Sequence, residues 1–483
     1  MKKIIIFSII FLIAIISTIS FLKPHYSIDT IEMMNNGFDS YNNCKFLVDG
    51  RIFSALLIKI IEKMSLQYSI ILLYVIGIWI SCISVMYIRK LIIKYGKLEE
   101  NLNIIPTIIA YVIIFNFMYI DAFQFIEFPI IALSILLYII SADIIIKKEK
   151  FYILKSVLVT IIAMFCYQGS VSAMIVTAFV LSIIKNKKLN KQLLLEMLKI
   201  GIIIITAIIL NYIVSHFFGE TRRLSFKIID NFKYTFINLF FLVFNSGNHY
   251  PEYLQLVFII SLIGYGIIKK VRIDNLIYIY ILSIICGAIV LIITPDLHVI
   301  TVQCGRIFFS IGATIGYMLM YLYCTNSFIK LSKFINFIAV TYLVLLLIIY
   351  FQYTYFYMKG QAIDEYVIEN INNIILDYEK NNDIDIKFFS FILEKDVCSI
   401  NIDNLLDKKY NKIHKKMINQ GMRIKEMIIS KGLFKVYTNR DIEKICIEKD
   451  ILKEVLKGKK IDDNNLLNRE RFIFIDDTVN IIL

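Results

Sequence analysis

Residues 151–184 read FYILKSVLVTIIAMFCYQGSVSAMIVTAFVLSII, an apolar run from Phe151 to Ile184 whose one charged residue is Lys155. As a single helix its roughly 34 residues would extend ~51 Å at 1.5 Å per residue, far more than the ~30 Å hydrocarbon core of a bilayer. Tyr167-Gln168-Gly169-Ser170 is the place to break it. Divided there, the run becomes two short spans, and every basic cluster further along the chain stays on one side of the membrane.

The same length rule picks out apolar candidates near 4–22, 68–88, 103–120, 128–146, 151–166, 169–184, 199–217, 252–268, 275–294, 307–327 and 335–355, eleven in all. Composition agrees: 58% of the 483 residues are hydrophobic and 19% charged, with a mean hydropathy of +0.70, values foreign to a water-soluble globule of this size. Lys and Arg gather at Arg89, Lys90, Lys94 and Lys97; at Lys147, Lys148 and Lys150; at Lys185, Lys187, Lys188 and Lys191; at Lys269, Lys270 and Arg272; and at Lys330 and Lys333. Under the positive-inside rule these connections are cytoplasmic. The N-terminus is then inside, while segments 23–67, 121–127, 167–170, 218–251, 295–306 and 356–483 are outside. Met1-Lys2-Lys3 and the apolar run to Leu22 resemble a signal peptide but lack a small-x-small cleavage site, so they read as a retained first span.

Ile52 to Met64 is too short and, with Lys59, Glu62 and Lys63, too charged for a span; it reads as an amphipathic helix in the outer interface. From Phe356 onward basic and acidic residues balance at about 22 each, so the net charge of +13 belongs to the membrane half. Membrane lipids are the expected environment and no nucleic-acid partner is indicated. The fold class expected is therefore an all-α polytopic membrane domain, residues 1–355, followed by a small extracytoplasmic α+β domain, residues 356–483. That domain has a helical stretch at Ile363–Tyr378 and strand-like runs at Ile384–Leu393 and Phe472–Ile475. Eight cysteines stand singly, without C-x-x-C or a histidine pair; neither a metal nor another cofactor is expected.

Ionisable groups concentrate in the outer segments, where their cost asks for a reason. Asp29 and, one helical turn on, Glu32 follow the first span. A shielded carboxylate there can take a proton from a hydroxyl, and a solvated loop acid is the plainer alternative. Arg51, at the start of the interfacial helix, and Arg306, entering a late span, have the geometry to clamp a phosphate; each could equally be a snorkelling arginine. Glu127 closes the aromatic segment from Asp121 to Phe128 at the mouth of a span. Gln168 in the turn needs hydrogen-bond partners, from neighbouring helices or from a sugar. Arg222, next to Arg223, faces either a lipid phosphate or the nearby acids Glu220 and Asp230.

Taken together, these residues resemble the serotype-converting type II glucosyl transferases, a branch of the multi-span GT-C glycosyltransferases. The resemblance covers roughly residues 1–350 and rests on Asp29, the spacing through Gly37 to Gly50-Arg51, the loop ending at Glu127, the Tyr167-Gln168 turn and Arg306. The chain departs from the family pattern in having Ile28 before Asp29, Ile52 after Gly50-Arg51, and its single Trp at Trp79. The resemblance implies a GT-C-like fold in a bacterial cytoplasmic membrane and a hexosyltransferase activity. It implies a polyprenyl-phosphate-linked donor, with glucose the expected sugar, and a surface glycan as acceptor. Asp29 would be the base with Glu32 in reserve, and Arg51, Glu127, Gln168, Arg222 and Arg306 would bind substrate. A polysaccharide polymerase or ligase, or a lipid-linked sugar flippase, would share many of these features.

Overall fold

The computed structural model describes residues 2–98, 103–186, 190–218, 253–268, 271–293, 305–325 and 329–392, and in the C-terminal part 414–415, 417–418, 422, 431–438, 440, 442–444, 469, 472–475 and 477–482. The chain divides into two compact units. One is Met1–Pro24 with Asp39–Gln352; the other is His25–Phe38 with Tyr353–Leu483.

In chain order the helices are α1 (Lys2–Ser17), α2 (Ile28–Asn36), α3 (Phe38–Tyr41), α4 (Ile52–Ile61), α5 (Leu66–Tyr95), α6 (Ile105–Ile114), α7 (Phe128–Lys147), α8 (Tyr152–Cys166), α9 (Ser172–Asn186) and α10 (Lys191–His216). They continue with α11 (Leu254–Ile268), α12 (Ile273–Ile293), α13 (Phe309–Thr325), α14 (Ile329–Asn382) and α15 (Lys431–Thr438). Among the described residues, six helical segments are long and apolar enough to cross a membrane: Leu66–Tyr95, Phe128–Lys147, Gln168–Asn186, Lys191–His216, Arg306–Thr325 and Lys333–Asn382. The other five expected spans coincide with shorter apolar helices. The protein is thus a polytopic, largely α-helical membrane protein.

The run 151–184 is broken where its length demanded. α8 ends at Cys166, Tyr167 is extended, and a 3-10 turn at Gln168–Ser170 leads into α9. The expected span 103–120 is corrected to a helix of 10 residues, α6. Asn116 stops it: its amide nitrogen donates to Ile113 O at 3.0 Å, and its oxygen accepts from the backbone of Met118 and Tyr119 at 3.1 Å each. A side chain competing in this way for backbone partners ends a helix, and the chain continues as a buried 3-10 segment, Tyr119–Gln124.

α7 is central to the first unit, packed on α5, α8 and α9, while α13 packs on α6, α9 and α12. Tyr74, Phe115, Tyr119, Phe123, Phe128 and Tyr350 interlock in edge-to-face, tilted and stacked pairs around the N-terminal end of α7. Such ring pairs add ~0.5–1.5 kcal/mol each beyond the area they bury. α10 shows how the apolar pattern sorts its faces. Leu194, Leu198, Ile202, Ile205, Ile209 and Ile213 are exposed at helical spacing, whereas Ile200, Ile203, Ala207 and Asn211 are buried. An exposed stripe of this kind suits lipid contact; a buried amide on the other face must find partners inside.

At the C-terminal end of α7 two carboxylates are buried. Asp143 accepts from Tyr87 at 2.8 Å and Tyr95 at 3.0 Å, and pairs with Lys147. Glu196 pairs with Lys148 at 2.6 Å and accepts from Ser182. Lys185 Nζ donates to Ile146 O at 3.0 Å, a cation satisfying the orphan carbonyls of a helix end.

In the second unit, α2 packs with α15. Its N-cap, Ser27, accepts from the Thr30 amide at 3.1 Å. Gln361, on the part of α14 beyond Gln352, donates to Tyr26 O at 2.6 Å and accepts from the Tyr26 amide at 3.2 Å. A small mixed sheet of β1 (Phe388–Ile392), β2 (Glu443–Lys444), β3 (Phe472–Ile475) and β4 (Thr478–Ile482) has the order β2-β1-β4-β3. β1 runs parallel to β2 and β4, with Phe388 opposite Thr478, and β3 pairs antiparallel with β4. The strand-like runs expected at Ile384–Leu393 and Phe472–Ile475 overlap β1 and β3. The helical stretch Ile363–Tyr378 lies within the 54-residue α14.

Candidate functional site

The chain from Asn42 to Leu47 is a π-helical turn, a geometry often found near functional positions. Its carbonyls at Lys45, Leu47 and Phe46 accept from the amides of Asp49, Gly50 and Arg51 at 3.1, 2.9 and 2.8 Å. Gly50 takes φ +70, which an L side chain adopts at a cost. The chain then enters α4 with Arg51 as its first flanking residue.

This turn sends the Arg51 side chain into the first unit, where it is 4% exposed. Its Nη1 donates to both carboxylate oxygens of Glu127, at 3.1 and 3.3 Å, and Glu127, just before α7, is 1% exposed. The guanidinium carbon lies 4.8 Å from the centre of the Tyr167 ring. Arg51 Nε is buried and has no hydrogen-bond partner among the described residues. Burial opposes the charge on Arg51, but Glu127, then Asp49 and Tyr167, outweigh it and hold the guanidinium above its ordinary pKa.

Arg306 reaches the same tyrosine from the 3-10 turn Gly305–Phe308 that precedes α13. Its Nε donates to the Tyr167 hydroxyl at 3.1 Å, and its guanidinium carbon stands 3.6 Å from the centre of the Phe125 ring. Arg306 Nη1 is 3.7 Å from Asp121 Oδ2, and the other Asp121 oxygen accepts from Gln124 at 2.7 Å. The two guanidinium groups are close enough for Arg306 to oppose the charge on Arg51. Like charges are held together only where carboxylates or aromatic faces compensate, and here Glu127, Asp121, Asp49 and the rings of Tyr167 and Phe125 do so.

Gln168 Nε2 donates to Asp49 O at 2.5 Å and to Asn211 Oδ1 at 3.2 Å. Asn211 Nδ2 donates to Gly50 O at 3.0 Å. Thus Arg51, Glu127, Gln168 and Arg306, far apart in the chain, meet in one buried cluster of the first unit. Asp29 and Glu32 stand half-buried on α2 in the second unit. Arg222 lies outside the described residues.

Three members of the cluster escape a reading by loop position alone. Asp49 is the neighbour of the Gly50-Arg51 motif, and Asp121 opens the aromatic segment that ends at Glu127. Asn211 carries the clearest signal, a lone amide in the apolar run Ile208-Ile209-Leu210-Asn211. Among the described residues no cluster of three or more His, Cys, Asp or Glu is arranged to hold a metal ion. Chemically, the arrangement offers two guanidinium groups for an anionic oxygen and, near Arg51, the carboxylate of the half-buried Asp49, one oxygen of which is buried. No family model, curated protein or solved structure matches the chain.

Proposed function

We propose that the protein is a membrane-embedded hexosyltransferase that moves a sugar from a polyprenyl-phosphate-linked donor to a surface glycan. The observation carrying this reading is the meeting of Arg51 and Arg306 on Tyr167, with Asp49 two residues before Arg51 and acting on its charge. A hydroxyl oxygen of the acceptor attacks the anomeric carbon as the bond from that carbon to the phosphate oxygen breaks. The phosphodiester leaves as a phosphate monoester with one more negative charge, and the hydroxyl proton passes to a carboxylate. Guanidinium groups fixed in a low-dielectric site stabilise the charge that develops on the leaving oxygens, and the anomeric centre acquires oxocarbenium character as in other glycosyl chemistry.

Asp49, the half-buried acid close to Arg51, is the proposed base; Asp29 and Glu32 are the candidates from the second unit. The lysine-rich end of α7 is assigned to the cytoplasm and the guanidinium cluster to the outer side, as the charge rule implies. The setting is the bacterial cytoplasmic membrane, with the C-terminal domain outside.

Reconstituted protein supplied with polyprenyl-phosphate-glucose and cell-surface glycan should transfer labelled hexose. Arg51→Ala and Arg306→Ala should each lower the rate about a hundredfold or more, the scale of losing one preorganised charge-stabilising group. Asp49→Asn should abolish transfer. Full activity in Asp49→Asn with loss in Asp29→Asn would return the base to Asp29. Movement of labelled lipid across the bilayer without any transfer would refute the enzyme reading in favour of a flippase.

A further inference from the structure

We infer that Asn211 and Gln168 are positioning residues that aim the Asp49–Arg51 segment, setting the geometry of the site from helices that carry none of its charged groups. The inference rests on the proposed transfer reaction for its functional meaning, and on hydrogen-bond accounting for its physical basis.

Every backbone group of the segment has a destination. The amides of Asp49, Gly50 and Arg51 close the π-helical turn, and Arg51 O accepts from Ala55 N at 3.0 Å to start α4. The two carbonyls left over, those of Asp49 and Gly50, point away from both elements. Gln168, from the turn between α8 and α9, takes the first, and Asn211, from α10, takes the second. The two amides are then tied together by the bond from Gln168 Nε2 to Asn211 Oδ1. The fit is close: a Cβ placed on Gly50 would lie 2.7 Å from the Asn211 amide nitrogen and oxygen. A carbonyl buried without a donor costs about 1–3 kcal/mol, so losing either amide releases the turn. Asp49 and Arg51 flank Gly50 directly, so rotation of these two peptides would redirect both the proposed base and the phosphate clamp. Misplacement of a reacting group by about 1 Å can cost ~100-fold in rate.

The test combines chemical protection with activity. Phenylglyoxal labelling of Arg51, followed by peptide mass spectrometry, should be slow in the wild type and at least tenfold faster in Asn211→Ala and in Gln168→Glu. The lipid-facing control Ile205→Ala should leave it unchanged. Unaltered protection of Arg51 in both variants would overturn the inference. Transfer of hexose from polyprenyl-phosphate-glucose should fall at least tenfold in Asn211→Ala, yet the same change should cost clearly less in an Arg51→Ala background, where only the Asp49 carboxylate is left to misplace. Additive losses there would mean that Asn211 acts elsewhere, and would also overturn it. If Asn211→Ala does not fold, Gln168→Glu, which removes the donor to Asp49 O from another helix pair, decides the matter. A wild type that transfers nothing while Arg51 still becomes reactive in the variants would defeat the proposed reaction and leave the positioning role standing.

Discussion

Glu127 accepts two hydrogen bonds from a single nitrogen of Arg51, Nη1, at 3.1 and 3.3 Å, and both side chains are almost wholly buried. Glu127 immediately precedes α7, and Arg51 immediately precedes α4. The pair therefore joins the starts of two helices and neutralises a cation that could not otherwise be kept from water.

Breaking one half of a buried pair costs about 3–5 kcal/mol, whereas replacing both halves with apolar groups is often neutral. Glu127→Leu should therefore lower the unfolding temperature sharply in detergent, and Arg51→Met with Glu127→Leu should recover most of the loss. A double variant as unstable as the single one would show that the charges are not coupled in this way.

The pH dependence of this pair has a defined sign. A cation whose folded-state pKa is raised contributes stability in full below its unfolded value, and loses it only as pH rises through the folded value. Both values for Arg51 lie above the range in which proteins are handled. The stability difference between wild type and the double variant Arg51→Met, Glu127→Leu, which leaves no stranded carboxylate to titrate, should therefore be flat from about pH 7 to about pH 10, followed by chemical denaturation at each pH.

Gly50 and Gly201 make a matched comparison. Gly50→Ala combines a left-handed backbone with a clash against Asn211 and should destabilise by more than about 1 kcal/mol. Gly201, within α10, has nothing within 4 Å of its Cβ position. Gly201→Ala should be neutral or stabilising by up to ~1 kcal/mol, the ordinary helical gain. Thermal unfolding of the two variants side by side checks both.

At the far end of α7, Asp143 accepts from Tyr87 and Tyr95 and pairs with Lys147. Asp143→Leu strands two phenolic hydroxyls and a lysine, and should destabilise by about 2–4 kcal/mol. Transfer activity per folded molecule should stay within a few-fold, because none of these groups touches the guanidinium cluster. A collapse of the specific rate with unchanged folding would place Asp143 in the reaction instead.

Much of the architecture was legible because lipid imposes simple rules. The length of 151–184 and the turn at Tyr167-Gln168 fix the break between α8 and α9. Hydropathy overstates the length of α6 because it does not register one asparagine; Asn116 ends the helix through its own hydrogen bonds. In the cluster, Arg51, Glu127, Gln168 and Arg306 were each legible as costly residues near the membrane. The convergence of Arg51 and Arg306 on Tyr167 is not, since contacts between residues as far apart as 51 and 306 depend on packing that no local pattern encodes. Asn211 stands out as a lone amide in an apolar run, but its role is legible only once its partner, the Gly50 carbonyl, is placed beside it.

α7 comprises 20 residues, about 30 Å of helix, with Glu127 riveted to Arg51 at its beginning, and at its end Asp143 tied to Tyr87 and Tyr95 of α5 and Lys148 to Glu196 of α10. A span anchored at both extremities behaves as a ruler: it cannot slide or shorten to suit its surroundings without breaking one set of anchors. Reconstitution into lipids of stepped acyl-chain length should accordingly give a sharp optimum near the thickness that α7 measures, where a span free to tilt would tolerate a wide range.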